Sequence, residues 1–549
     1  MRHKSGLLVV FVLLVLIGFA AWIWLSQMPL QPTGLPPFTS PLQPADAALD
    51  AESFEPLTAS FVIDAFPSPN AFVKVVDPEL AGYALALRRP FMADLDSLKR
   101  APRYDIALAL NPAAHLITGQ QTTRYVNRET APLNEIMLRL YPNTAYRGGD
   151  MQVAQVAVGG APAPWVYDTR VQDRSIVRVD LPAPLLAGQA LTFSLNFTIS
   201  VPSEGAAGYR TFGQFGALWA LPNAYAMLAP RIAGAWQLDA VPAYGDIVLS
   251  EVAHYRVQIQ APANWPVVAT GVCQTESSQA QSQGATTTCT AAAVRDFALH
   301  LNPNYRVATA TAPSITGEPI LISSYYLPQH ERAGQSVLRY AANALAAFER
   351  RFGAYPYAEL KLFAASATSG GIEYPTLAGV LDTFYANDNA EFEWLVVHEV
   401  AHQWWYGLVG NNPITEPWLD EALAQYSASL YLEDRNGVDA AQRYRSQAFT
   451  ARYETERRQN GDQRVGQPTT GLPSQSYFPI IYGKGPLFFD EVRRGSDDAR
   501  FTAWLRAYFE QHRYGIASAQ DLLAAADRVG LGAMARPAFD RWILGLGVS

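Results

Sequence analysis

Two histidines four residues apart around a glutamate, His398-Glu399-Val400-Ala401-His402, with Glu421 following after eighteen intervening residues, constrain this chain more than any other feature. On an α-helix, residues i and i+4 share a face, so His398 and His402 can aim ring nitrogens at one point. A carboxylate from a second helix then makes a three-ligand set of the kind that holds zinc with its fourth position open. Residues 391–406 read as the first helix: Asn387, Asp388 and Asn389 supply capping side chains, no proline interrupts, and Gly407 and Gly410 follow. Glu399 cannot share the metal face fully and falls beside the ion, where a carboxylate can take a proton from water. Pro413 and Pro417 mark the return of the chain. A helical pattern then runs through Leu419, Leu423, Tyr426 and Leu430 to an Asn436-Gly437 stop, with Glu421 in its first turns. The chain has only eight histidines, so two at this spacing around a glutamate are improbable by accident.

Residues 396–405 together with Trp418-Leu419-Asp420-Glu421 resemble the aminopeptidase N-like zinc metallopeptidases, the gluzincin family that includes leukotriene hydrolase. The spacer looks like that family more than like the thermolysin-type endopeptidases. Upstream, Ser369-Gly370-Gly371-Ile372-Glu373-Tyr374-Pro375 is similar to the family's Gly-x-Met-Glu-Asn strand, with Ile372 and Tyr374 departing from the pattern. The resemblance implies that Glu373 binds the substrate α-amino group and that the backbone at Gly370 and Gly371 pairs with the peptide as an added strand. Downstream, Ile481-Tyr482-Gly483-Lys484-Gly485-Pro486 resembles the family's Tyr-x-Lys-Gly segment, which implies that the Tyr482 hydroxyl stabilises the oxyanion, with Tyr477 the nearby substitute. The implied activity is zinc-dependent removal of N-terminal residues from peptides. His398, His402 and Glu421 hold Zn2+, and Glu399 is the general base. Many relatives supply a further acidic residue from the β-domain. Trp219-Ala220-Leu221-Pro222-Asn223-Ala224-Tyr225 offers none, so amine recognition is expected to rest on Glu373 alone. The chain stops where relatives commonly begin a helical C-terminal domain, which suggests a more open cleft. An endopeptidase and a catalytically silent anchored binding protein are the competing readings.

The remaining features set compartment and architecture. Arg2 and Lys4 precede residues 7–25, an uncharged apolar run of nineteen, against the roughly 20 needed to span a bilayer. This reads as a signal anchor that places the rest of the chain outside the cytoplasm, with a cleavable signal peptide as the alternative. Pro29, Pro32, Pro36, Pro37, Pro41 and Pro44 then make a stiff tether. Cys273 and Cys289, flanking a Ser/Gln/Thr-rich stretch that looks like a long loop, suit a disulfide in an oxidising compartment, with about 3 kcal/mol in the chain-entropy model. A net charge of -8 with no long basic run excludes nucleic acid as a partner, and 49% hydrophobic content suits large cores.

Alternating strand patterns, such as residues 106–110, 191–197 and 255–259, give way near residue 311 to a mixed pattern with a helix near residues 333–351. The expected fold class is therefore α+β. A transmembrane anchor (1–28) and a Pro-rich tether and lead-in (29–100) precede an all-β, saddle-like domain (101–309) and a thermolysin-like mixed α/β catalytic domain (310–549). Peptide and membrane are the expected partners.

Overall fold

The alternation in Ala253–Ala261 places Tyr255, Val257 and Ile259 inward and Arg256, Gln258 and Gln260 outward, the period of a half-buried strand. This strand lies near the middle of an eight-stranded sheet in the computed structural model, which describes residues 77–171, 173–203, 211–276, 284–366 and 370–545. It pairs in parallel with Arg103–Asn111, which pairs antiparallel with Leu116–Val126. Two four-stranded sheets complete the β-rich region. Its core stacks Tyr104 on Tyr255 at 4.7 Å, and the Tyr255 hydroxyl meets that of Tyr225 at 2.9 Å.

Cys273 and Cys289 are disulfide-bonded. The ends of the stretch expected as a loop between strands are themselves strand. The two cysteines face each other across a hairpin of Val272–Thr275 and Ala285–Val294, because the Thr-rich run 286–290 is β-branched and extends the strand.

A five-stranded sheet opens the second half. Its order is Arg306–Ala312, Ile320–Tyr326, Glu359–Ala365, Leu377–Leu381 and Gly371–Tyr374, so the Gly371–Tyr374 strand lies at an edge. The amphipathic helix Glu331–Phe352 crosses between the parallel strands Ile320–Tyr326 and Glu359–Ala365, burying Val337, Ala341, Ala344, Leu345, Phe348 and Phe352. Helices then dominate to the C-terminal side. Ala390–Ala401 is capped by Asn389, whose side chain accepts from Phe392 N at 3.0 Å. Asp388 does not cap it, accepting instead from Ser336 Oγ and Tyr340 OH.

This helix ends sooner than its sequence suggests. His402 is its C-cap and Tyr406 takes φ 109°, which turns the chain back so that Gly407 N reaches His402 O. The next long helix, Trp418–Asn436, starts behind Pro417 and stops at Gly437, φ 85°.

Residues 77–100, within the lead-in, are packed rather than extended. The buried Arg88 pairs with Glu349 at 2.8 Å, and Leu87 forms a bridge with Tyr357. Among the described residues no helix is long and apolar enough to cross a membrane. The expected anchor, residues 7–25, and the proline run to Pro44 lie outside the described residues.

Candidate metal centre

The His398 helix and the Glu421 helix pack side by side and bring three donors to one point. His398 Nε2 lies 3.2 Å from His402 Nε2, and the two nitrogens stand 3.4 and 3.3 Å from Glu421 Oε2. Tetrahedral ligands around zinc, each about 2.0–2.1 Å from the ion, are separated by about 3.3 Å. The donor set therefore fits zinc in spacing as well as in chemistry. All three side chains are buried. His402 Nδ1 meets Trp405 O at 3.0 Å, and a carbonyl can only accept, so the proton sits on Nδ1 and the Nε2 lone pair faces the metal position.

Five carboxylates, Glu373, Glu399, Glu421, Asp246 and Asp420, crowd this point. Burial pushes Glu399 well above the usual carboxylate range, with repulsion from Glu373 adding to it. Burial likewise raises Glu373, to about 7, against an opposing pull from His402. Asp246 is raised by burial and then by the negative charges of Glu373, Glu421 and Asp420. Glu421 goes the other way: burial would raise it, but positive charge at the point shared with His402 and His398 holds it far below. Such a concentration of displaced titrations around a metal-type triad is the electrostatic mark of a reaction centre.

The other anticipated residues converge here. Glu399 packs against the edge strand at Gly371. Glu373 and Asp246 line one small cavity, of about 50 Å³, with Ile372, Tyr374 and Tyr406. The Gly370 carbonyl is already engaged by Leu381 N at 2.8 Å, so the exposed pairing edge begins at Gly371. The Tyr482 hydroxyl donates to Glu421 Oε1, the oxygen turned away from the histidines, and its ring stacks on Phe478. Tyr482 rides on a π-helical turn, Pro479–Lys484, a device common at functional sites. Lys484 anchors that turn from a fully buried position, donating to Asp462, Gln463 O and Gly545 O. Tyr477 lies edge-on to Tyr482 at 6.3 Å.

Glu373 was expected to act alone, and the cavity it lines also holds Asp246, from a loop after residue 241, and Asp296, neither of them from residues 219–225. Tyr244 pins that loop by donating to Thr469 O and Leu472 O. The only sequence signal was the pair Gly245-Asp246, whose glycine takes φ 75° against Tyr477.

The three donors form a zinc-type site of the His-Glu-x-x-His plus Glu pattern. Residues 338–542 match the family model described as Peptidase family M1 domain. That stretch, which carries the whole triad, is thus similar to the aminopeptidase N-like zinc metallopeptidases. Among similar proteins, Aminopeptidase RNPEPL1 of Homo sapiens is 28% identical over 188 residues, 33% of this chain and 26% of that protein. Aminopeptidase B of Mus musculus is 25% identical over 214 residues, covering 36% and 33%. The chain thus spans about a quarter to a third of the curated relatives it matches. The crystal structure of an M1 zinc metallopeptidase from Deinococcus radiodurans shares the fold with TM-score 0.61 at 19% identity, over 82% of this chain and 96% of that one.

Proposed function

We propose that the protein is a zinc aminopeptidase that removes N-terminal residues from peptides outside the cytoplasm. The observation that carries this reading is the placement of two carboxylates, Glu373 and Asp246, in a cavity shared with the edge strand and beside the metal triad. Two carboxyl groups at one cavity can accept an ammonium group, whose positive charge would favour their ionised forms.

Zinc, held by His398, His402 and Glu421, would supply Lewis acidity to the scissile carbonyl and to the attacking water. The rest is done by this chain's own groups. A peptide backbone pairs with the edge strand from Gly371, and its terminal ammonium sits against Glu373 and Asp246. Glu399, whose raised affinity for protons suits a base that must also give the proton back, accepts one from water and delivers it to the leaving amine. The Tyr482 hydroxyl swings from Glu421 to donate to the developing oxyanion.

The proposed organisation follows the sequence reading, with a β-domain over 101–309, a catalytic domain over 310–549, and an anchor in residues 7–25 that tethers both outside the cytoplasm. The apolar run behind Arg2 and Lys4 supports the anchor, and the Cys273–Cys289 disulfide suits an oxidising compartment. Retention in the membrane fraction after alkaline washing is expected, and full release would argue against it.

The test of activity compares one peptide with a free N-terminus and its N-acetylated form on the zinc-loaded protein. Strong preference for the free amine is expected. Equal cleavage of both would replace this reading with an endopeptidase, and cleavage of neither with a binding protein. Glu399→Gln should keep zinc and lose about 10²–10⁴-fold in kcat.

A further inference from the structure

Tyr406 follows the metal helix in a backbone conformation that side chains avoid. Its φ of 109° lies where glycine is the default residue and where a bulky side chain is a steric outlier. That torsion orients the peptide unit joining Trp405 to Tyr406. The carbonyl of this unit is the group that meets His402 Nδ1 at 3.0 Å, and its N–H donates to Val409 O at 2.8 Å. A flip of the unit would return φ to ordinary territory and take the carbonyl away from the histidine.

Two neighbouring residues of the β-rich region prevent the flip. Arg295 Nε donates to Tyr406 O at 2.5 Å, and the same buried guanidinium donates to Ser250 O, Leu408 O and Gly515 O. The Tyr406 hydroxyl donates to Asp296 Oδ2 at 2.8 Å. Asp296 is fully buried and is itself fixed by Asn223 Nδ2 at 3.1 Å, whose Oδ1 accepts from Arg147 at 2.9 Å. Gly410 leaves room for the clamp, since a Cβ there would stand 2.3 Å from Arg295 Cζ.

We infer that Tyr406 is a positioning residue, held in a glycine-like conformation by the Arg295–Asp296 pair so that the Trp405 carbonyl fixes the ring of His402 for the metal. The β-rich region thereby contributes to metal retention without touching the metal. Strained backbone persists where its surroundings over-determine it, and here the over-determining bonds come from another part of the fold. Groups that orient a metal-bound histidine typically govern metal affinity by about 10–100-fold.

The inference rests on the zinc-site reading, and the experiment separates the two. Zinc release into excess chelator is followed for the full-length protein and its variants, alongside kcat and KM on a free-amine peptide. Tyr406→Phe removes the hydroxyl anchor and leaves the strain, so zinc should leave about tenfold faster, with kcat lowered more than KM is raised. Asp296→Ala should copy it, the double variant should be no worse than either, and Asp296→Asn, which keeps an acceptor, should restore retention. Tyr406→Gly needs no clamp and should hold zinc better than Tyr406→Phe. Wild-type zinc retention in Tyr406→Phe, or faster loss in Tyr406→Gly than in Tyr406→Phe, overturns the inference while leaving the zinc site standing. A wild-type protein that binds no zinc overturns both.

Discussion

A β-carbon on Gly371 would stand 2.2 Å from Oε1 of Glu399. The strand proposed to align the peptide and the proposed base are therefore in contact, with no room between them for even one methyl group. Gly371→Ala can be absorbed by the fold, because Glu399 is long enough to swing aside. It cannot be absorbed by the chemistry. A displacement of about 1 Å costs about 10²-fold, so kcat should fall by that order with zinc content and circular dichroism unchanged. Undiminished turnover in this variant would show that Glu399 works from another position.

Tyr482→Phe removes the one donor aimed across the triad from the π-helical turn. Loss of an oxyanion donor costs about 10²–10³-fold in kcat. The drop should appear in kcat with KM little changed, since the hydroxyl meets a ground-state substrate only weakly. If Tyr477→Phe gives the drop and Tyr482→Phe does not, the two phenols exchange roles.

Glu373 gains its charge as pH rises through a value no higher than about 7, since burial raises it and bound zinc pulls it lower. An ammonium group needs the ionised form. KM for free-amine peptides should therefore fall as pH rises towards 7, and N-acetylated peptides should show no such trend. Glu373→Gln should flatten the profile and raise KM. Asp246→Asn should raise KM as well, and an unchanged KM would remove Asp246 from amine recognition.

Two histidines outside the triad shape stability. Burial holds His254 down to about 4 and His300 to about 3, the latter with no hydrogen-bond partner among the described residues and its ring against Phe363 and Tyr374. Their folded values lie below the unfolded one, so the unfolded chain takes up protons first as pH falls. Stability is lost from about pH 6.5 downwards, by about 3 kcal/mol for His254 once pH 4 is reached. The raised carboxylates act in the opposite sense, so the comparison that isolates the effect is a variant. His300→Phe should lose less stability between pH 7 and pH 5 than wild type in urea unfolding, and parallel losses would refute the assignment.

The parts of the centre that sequence reveals are those built by local geometry. His398 and His402 are one helical turn apart, and Glu421 follows on the next long helix, so spacing alone suffices. What spacing cannot reveal is a tertiary outcome. The helix was expected to reach Tyr406, because nothing in local preference says that Arg295 and Asp296, a hundred residues earlier, hold that tyrosine in a turn. Asp246 went unassigned for the same reason: its place depends on Tyr244 gripping carbonyls at Thr469 and Leu472. The cysteine pair was recognised, but composition placed the strand ends too early, since the Thr-rich run 286–290 extends the pairing.

The pairing of Arg103–Asn111 with Ala253–Ala261, the cavity shared by Asp246 and Glu373, and the bond from Tyr482 to Glu421 join residues far apart in sequence. A chain still emerging from the ribosome lacks at least one wall of the centre until Tyr482 and the buried Lys484 that anchors its turn have appeared. The order of synthesis thus sets a point before which the centre cannot be assembled.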